Sequence, residues 1–311
     1  EIASCLVGSE MCIRDSNVPS YFKNVKSEGQ YHIYENTLNL PSVKVTNQIY
    51  NSDTLKTPID REHAMLDGVV IKNSGKPYTD NAQNLIDATK ISYQNIKIKN
   101  NQQINLPKNQ GQIKIHVPNH IRKRYSDFYL NLKVRRGQPD SNYTININNY
   151  ANHRLYNNST YKTGVENQLY RTQPDKDGNI NIAINPRGSY YFDIQSLHGE
   201  NYSKLKKAYN KKQNHYYNDI KNGVKVKLAP HTKGIATINI PYRDGMVAYV
   251  DHKKVKPKKV NYMMTGVPVT KQDSEIIIKY RPKYWFTMII ISVISILISI
   301  FWCLKKKSKL K

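Results

Sequence analysis

Cysteine is nearly missing from this chain of 311 residues, which holds only Cys5, Cys12 and Cys303. That excludes a small disulfide-stapled secreted scaffold, in which cysteine is dense. Tryptophan is confined to Trp285 and Trp302 and phenylalanine to 5 positions, whereas tyrosine occurs 24 times. Acidic side chains are scarce too: 23 Asp and Glu face 48 Lys and Arg, a net charge of +25 at pH 7. The excess is spread along the chain, and such a field favours anionic lipid headgroups and phosphate-bearing polymers as partners. Nucleic acid is not expected, because no helix-turn-helix, zinc-finger or RNP-type pattern is present.

Catalytic and metal signatures are also missing. The histidines are scattered, without an HExxH pair, and Pro118 breaks any helix that would align His116 with His120. There is no GxSxG, Walker loop or GxGxxG. DKDGN (Asp175 to Asn179) starts like a calcium loop, but no glutamate follows at the bidentate position, so it reads as a turn. Asp244 and Asp251 invite an acid/base pairing, yet each stands where a turn wants an Asp side chain. No catalytic, cofactor-binding or metal-ligating residue is therefore assigned.

What is present is concentrated at the C-terminus. Trp285 to Leu304 carries no charge, and about twenty residues at ~1.5 Å each cover a ~30 Å hydrocarbon core. Its isoleucines, leucines, valine and phenylalanines favour insertion by roughly 5 kcal/mol before Ser292, Ser295 and Ser299 take some back. Residues 283–304 are read as one transmembrane helix, anchored by Trp285 and Trp302 at headgroup level and by Lys305, Lys306 and Lys307 beyond. The lysine tail, 305–311, puts the C-terminus in the cytoplasm by the positive-inside rule and the bulk of the chain outside. The three serines share one face, which suits close helix packing or simple back-bonding to the helix itself. Cys303, at the inner end, is either an inert thiol or an acylation site.

The other end reads differently. CLVGSEMCIRDS (Cys5 to Ser16) resembles the translation of a transposase-type sequencing adapter, so residues 1–16 are set aside as an artefact and the gene is expected to continue upstream. Cys5 and Cys12 then drop out, leaving an external region without cysteine, as in many extracytoplasmic domains of Gram-positive bacteria. That region is long enough to bury a core without staples.

Residues 17–98 read as a mixed α+β segment. A short strand is expected near Tyr31, a helix over Asp60 to Leu66 capped by Thr57 and stopped by Gly68, a second helix near Asn81 to Thr89, and a strand at Val69 to Asn73. From Ser92 the pattern turns period-two, in ISYQNIKIKN, GQIKIHV, FYLNLKV, YTININNY and NINIAIN. One amphipathic helix interrupts it over Glu200 to Tyr217, and strands resume to Tyr280. The fold class is thus mainly β with minor α: an antiparallel, jelly-roll-like β-sandwich over 99–282, followed by the transmembrane helix. Pro282 leaves little slack between the last strand and the bilayer. Tyrosines on such strands serve as sugar-stacking platforms or as filler of half-wet sheet faces.

Two stretches carry a resemblance. IPYRDGMVAYVDHKKVKPKKVNYMMTGVPV, followed by a strand ending KYRP, a hydrophobic helix and a lysine tail, is similar to the C-terminal end of YfhO-like bacterial membrane proteins. The motif positions are Pro241, Tyr242, Gly245, Val250, Asp251 and Lys253. Upstream, Tyr34, Glu35, Asn36, Leu40 and Pro41 resemble that family's Tyr-Glu-Asn-x-x-x-Leu-Pro stretch, and DREHAMLDGVVI fits the same place. Met246 replaces a usual Trp, His252 a usual Gly, and Lys271 to Ser274 a Gly-x-His turn. The resemblance implies the C-terminal part of a polytopic GT-C-type glycosyltransferase that decorates cell-wall polymers such as lipoteichoic acid from a polyprenyl-phosphate sugar donor. Its catalytic acids would lie N-terminal to Asn17, among missing transmembrane helices. This part would orient an anionic acceptor or support the membrane core. The alternative is a single-pass surface module that binds wall polymer without catalysis.

Overall fold

The computed structural model describes residues 18–308 apart from 30, 81, 101, 139–140, 149 and 156–164. The adapter-like residues 1–16 lie outside that set. The chain is mainly β, and its named strands pair antiparallel except for Ile49–Asn51 alongside Val69–Ile71. The strands gather into two compact units. One unit takes residues 1–39 and 80–206, the other 40–79 and 207–311.

In the upstream unit, Asp127–Arg136 and Gly188–Glu200 pair at the centre of one sheet, flanked by Asn167–Thr172 and Gln103–Leu106. The facing sheet runs Tyr150–Arg154, Tyr143–Ile147, Asn179–Asn185, Gly111–His116. Apart from the 143–154 hairpin, these eight strands change sheet from each one to the next, which is the weave of a jelly roll. Period-two alternation explains which faces meet. Ile113, Ile115, Leu130, Leu132, Val134, Ile145, Ile147, Ile180, Ile182 and Ile184 point inward and are buried. Each such side chain contributes about 1.5–3 kcal/mol of hydrophobic stabilisation. Edge strands Lys97–Asn100 and Lys90–Gln94 extend the two sheets.

The same unit buries a carboxylate. Asp127 is fully buried and accepts bonds from Arg171 Nη1 at 3.2 Å, Gln173 Nε2 at 2.8 Å and the Tyr202 hydroxyl. Burial, with the Asp127 charge behind it, pushes the Tyr202 phenol far up, so it stays a donor.

In the downstream unit, Glu275–Tyr280 lies between Gly223–Lys227 and Met246–Val250, with Tyr216–Ile220 and Lys253–Val255 at the edges. The opposing sheet runs Lys258–Val260, Met264–Val269, Gly234–Pro241, Val43–Thr46. Val43, Val45, Val224, Val226, Ala236, Ile238, Ala248, Val267, Ile276 and Ile278 form its core. The expected helix is present as Pro58–Asp67, closed by a capping box in which Thr57 and Asp60 exchange bonds of 3.1 Å. Lys44 reaches from its strand to the far end of that helix and donates to the carbonyls of Met65, Leu66 and Gly68. Three orphan carbonyls are thereby satisfied.

Two expectations change. Among the described residues 82–89 no helix forms beyond the single 3₁₀ turn Ile86–Ala88, because the segment is recruited to a strand. Leu85 N donates to Leu197 O at 2.7 Å, and Asn84 Oδ1 accepts from Leu197 N and Ile86 N. The helix over 200–217 shortens to Ser203–Asn210, since Tyr216–Ile220 pairs with Gly223–Lys227 instead. Tertiary pairing overrides local propensity in both.

Candidate membrane-proximal site

The last strand ends at Tyr280 and the apolar helix Trp285–Ser308 begins after residues 281–284. Its Trp285–Trp302 portion is long and apolar enough to cross a membrane and packs none of itself against the protein. The hydroxyls of Ser292, Ser295 and Ser299 each donate to a carbonyl one turn back at 2.8 Å, the back-bonding option. Lys305, Lys306 and Lys307 continue the helix.

Antiparallel pairing brings several loops to the end of the sandwich from which that helix leaves. Tyr280 N donates to Asn222 O at 3.0 Å, and Arg281 N to Gly245 O at 3.0 Å. Tyr242 N donates to Met263 O at 2.7 Å, and Asn239 N to Ser42 O at 2.9 Å. Four loops, 40–42, 221–222, 241–245 and 261–263, therefore surround the strand-to-helix junction. Gly245 is required there: its φ is +96°, and a Cβ would collide with the Arg281 carbonyl oxygen. Gly223 stands in the same relation to the Ile278 carbonyl.

The side chains at this end are of two kinds. Leu40, Tyr262, Met263, Tyr280 and Tyr284 are exposed, Met263 by 55% and Tyr284 by 59%. Among them sit exposed Lys221, Arg243, Lys279, Arg281 and Lys283, with Asp219 and Asp244 as the counter-charges. Arg281 lies 5.4 Å from the Phe286 ring and Lys283 5.5 Å from that of Tyr284. Arg61 lies 5.8 Å from Tyr262. Asn261 and Tyr262 both have positive φ, +47° and +66°. For a bulky aromatic that conformation is an outlier, held here because Asn261 exchanges bonds of 2.8 Å with the backbone of Val70.

The motif residues are not all brought together. Pro241, Tyr242 and Gly245 border the junction, as do Leu40 and Pro41 through Ser42. Val250, Asp251 and Lys253 lie at the opposite end of Met246–Val250, where Asp251 and His252 (φ +43° and +68°) form a tight turn and Val250 pairs with Lys253. Tyr34, Glu35 and Asn36 belong to the upstream unit, in an exposed hairpin opposite Asn24, Lys23 and Phe22. Asp244 and Asp251 are thus at opposite ends of one strand and form no acid/base pair. Asp251 instead accepts from Ser274 Oγ at 2.8 Å, Ser274 N at 3.0 Å and Glu275 N at 2.9 Å, and the Ser274 bonds hold its pKa below the usual carboxylate value.

The tyrosines separate by exposure. Tyr143, Tyr170, Tyr190 and Tyr202 are buried in the jelly roll, where burial pushes Tyr170 and Tyr190 up to about 12. They are core residues with satisfied hydroxyls and are not sugar platforms. Met263, Arg243 and Lys221 went unrecognised in the sequence, where an exposed Tyr-Met pair beside an Asn turn was the only signal. Among the described residues no cluster of His, Cys, Asp and Glu is arranged to hold a metal ion.

The comparisons with known proteins agree on one family. The family described as "Bacterial membrane protein YfhO" matches residues 6–292, a stretch that starts inside the adapter-like segment. The uncharacterized protein YfhO of Bacillus subtilis (strain 168) is 30% identical over 300 residues, covering 94% of this chain and 34% of that protein. The chain therefore spans about a third of the length of this relative.

Proposed function

The chain belongs to the YfhO family of bacterial membrane proteins, and from that premise we propose that its two β-rich units hold an anionic acceptor beside a membrane-embedded transferase. The acceptor is a phosphate-bearing wall polymer such as lipoteichoic acid. The transferase is a GT-C-type glycosyltransferase built from further transmembrane helices of the parent protein and using a polyprenyl-phosphate sugar donor. Both units lie outside the cell and the lysine tail inside.

The observation that carries this reading is the junction. With only residues 281–284 between a central strand and the apolar helix, the downstream sandwich stands at the bilayer surface. A polymer anchored in lipid has its first repeats at that height. The net charge of +25 supplies the attraction, and exposed tyrosines such as Tyr150 and Tyr216 supply stacking surface. No residue of this chain is assigned to the chemical step.

Binding of lipoteichoic acid to the full chain, reconstituted in nanodiscs of neutral lipid, tests the proposal. Saturable binding that weakens with added salt is expected. Lack of binding at physiological ionic strength would overturn the acceptor-holding role.

A further inference from the structure

The junction end of the downstream sandwich differs from its other end in a way that charge alone does not explain. Lys253 and Lys254 make the opposite end basic as well. Large exposed apolar side chains, however, are segregated. Leu40, Tyr262, Met263, Tyr280 and Tyr284 all belong to the junction end, and only Tyr216 belongs to the other. Amphipathic aromatics interleaved with Lys and Arg are the composition that partitions into a lipid headgroup layer.

Geometry sets the distance. Four residues reach at most ~14 Å when fully extended, at ~3.3–3.6 Å per residue. The headgroup region is roughly 5–7 Å deep on each side of the hydrocarbon core. Beyond it the field of anionic lipid persists over a Debye length of about 8 Å. Wherever the helix starts at headgroup level, Arg281 and the Gly245 turn bonded to it lie within that combined depth, and Tyr242 of the same loop is bonded to Met263.

We infer that loops 40–42, 241–245 and 261–263 of the downstream sandwich form a second membrane contact, seated in the anionic headgroup layer of the leaflet that the chain's own helix enters. Tyr262, Met263 and Leu40 insert among the headgroups, and Arg243, Arg281 and Lys283 pair with lipid phosphates. The sandwich is then fixed in tilt and rotation, because a single helix behind a short linker leaves both free. The inference does not depend on polymer binding.

The test uses the full chain in vesicles, with Cys5→Ser, Cys12→Ser and Cys303→Ser as background. An environment-sensitive fluorophore is placed on Met263→Cys or, at the opposite end, on Lys254→Cys. Quenchers are carried on the lipid headgroups. Quenching at 263 is expected to exceed that at 254 severalfold, and to be stronger in phosphatidylglycerol than in phosphatidylcholine vesicles. Adding Arg243→Gln and Lys283→Gln, both exposed positions, is expected to abolish the lipid preference while the circular dichroism spectrum stays unchanged. Equal quenching at 263 and 254 would overturn the contact. Equal quenching at 263 in the two lipids would overturn its anionic character.

Discussion

Gly245 and Arg281 are locked backbone to backbone: the Arg281 amide donates to the Gly245 carbonyl at 3.0 Å, and the Arg281 carbonyl fills the space where a Gly245 side chain would begin. The turn that starts one strand is thereby clamped onto the residue that leaves for the membrane.

Gly245→Ala meets two penalties at once, a φ of +96° and a collision with a carbonyl that has no freedom to retreat. We expect a loss of roughly 2–4 kcal/mol, from strain plus a broken bond between the turn and the linker. Thermal unfolding of the reconstituted chain measures it. An unchanged midpoint would show that the clamp is not maintained.

The turn at the other end of that strand predicts a gain. His252 stands at φ +68°, a left-handed conformation that glycine adopts without cost. His252→Gly is expected to stabilise the downstream unit by about 1 kcal/mol. Asp251→Ala should destabilise it, because Ser274 and Glu275 lose their acceptor. The sign with pH follows from the lowered pKa of Asp251. Its contribution is complete above the unfolded carboxylate value and is lost as pH falls through the folded one. The difference between wild type and Asp251→Ala should therefore vanish in strong acid, and a difference that persists there would assign it to backbone strain.

These turns show what the sequence carries and what it leaves out. Ile113-Lys114-Ile115 and Ile180-Asn181-Ile182 declare strand and buried face, because one residue of slip would expose every isoleucine. They do not declare neighbours. Val43–Thr46 pairs with Gly234–Pro241 from far away in the chain, and no local pattern announces it. Asp244-Gly245 was legible as a turn, whereas its partner Arg281 was not, since that contact is made by backbone atoms alone. The tyrosines left two readings open for a related reason: Tyr143 and Tyr190 satisfy their hydroxyls on the carbonyls of Val134 and Pro186, a solution invisible without the fold.

Lys44 predicts a rise of stability in alkali. Burial pulls its ammonium down from 10.5 to about 8, against the opposing pull of Asp67. Between those two values the unfolded chain binds more protons than the folded one, so stability increases with pH across the window. Lys44→Met removes this titration. Comparing the two unfolding midpoints from pH 8 upward, we expect the wild type to gain relative to the variant. Parallel curves would mean that the three backbone carbonyls around Nζ hold the ammonium at its ordinary pKa.

Asp127 offers the sharpest separation between a buried charge and its partners. Its carboxylate is fully buried against Arg171, Gln173 and Tyr202. Asp127→Ala removes the shared acceptor and leaves a guanidinium, an amide and a phenol to find new partners beneath the sheet. We expect a cost of about 3–5 kcal/mol, the scale for breaking one side of a buried ion pair. Tyr202→Phe removes a single donor and should cost about 1–2 kcal/mol. If the hydroxyl works only through Asp127, the double variant will be no worse than Asp127→Ala, a coupling of roughly 1–2 kcal/mol in the cycle. Additive losses would instead show that the Tyr202 hydroxyl stabilises the jelly roll without Asp127, since the ring that packs edge-on against Tyr21 at 4.7 Å is kept in the phenylalanine variant. The carboxylate and the phenol would then be independent supports.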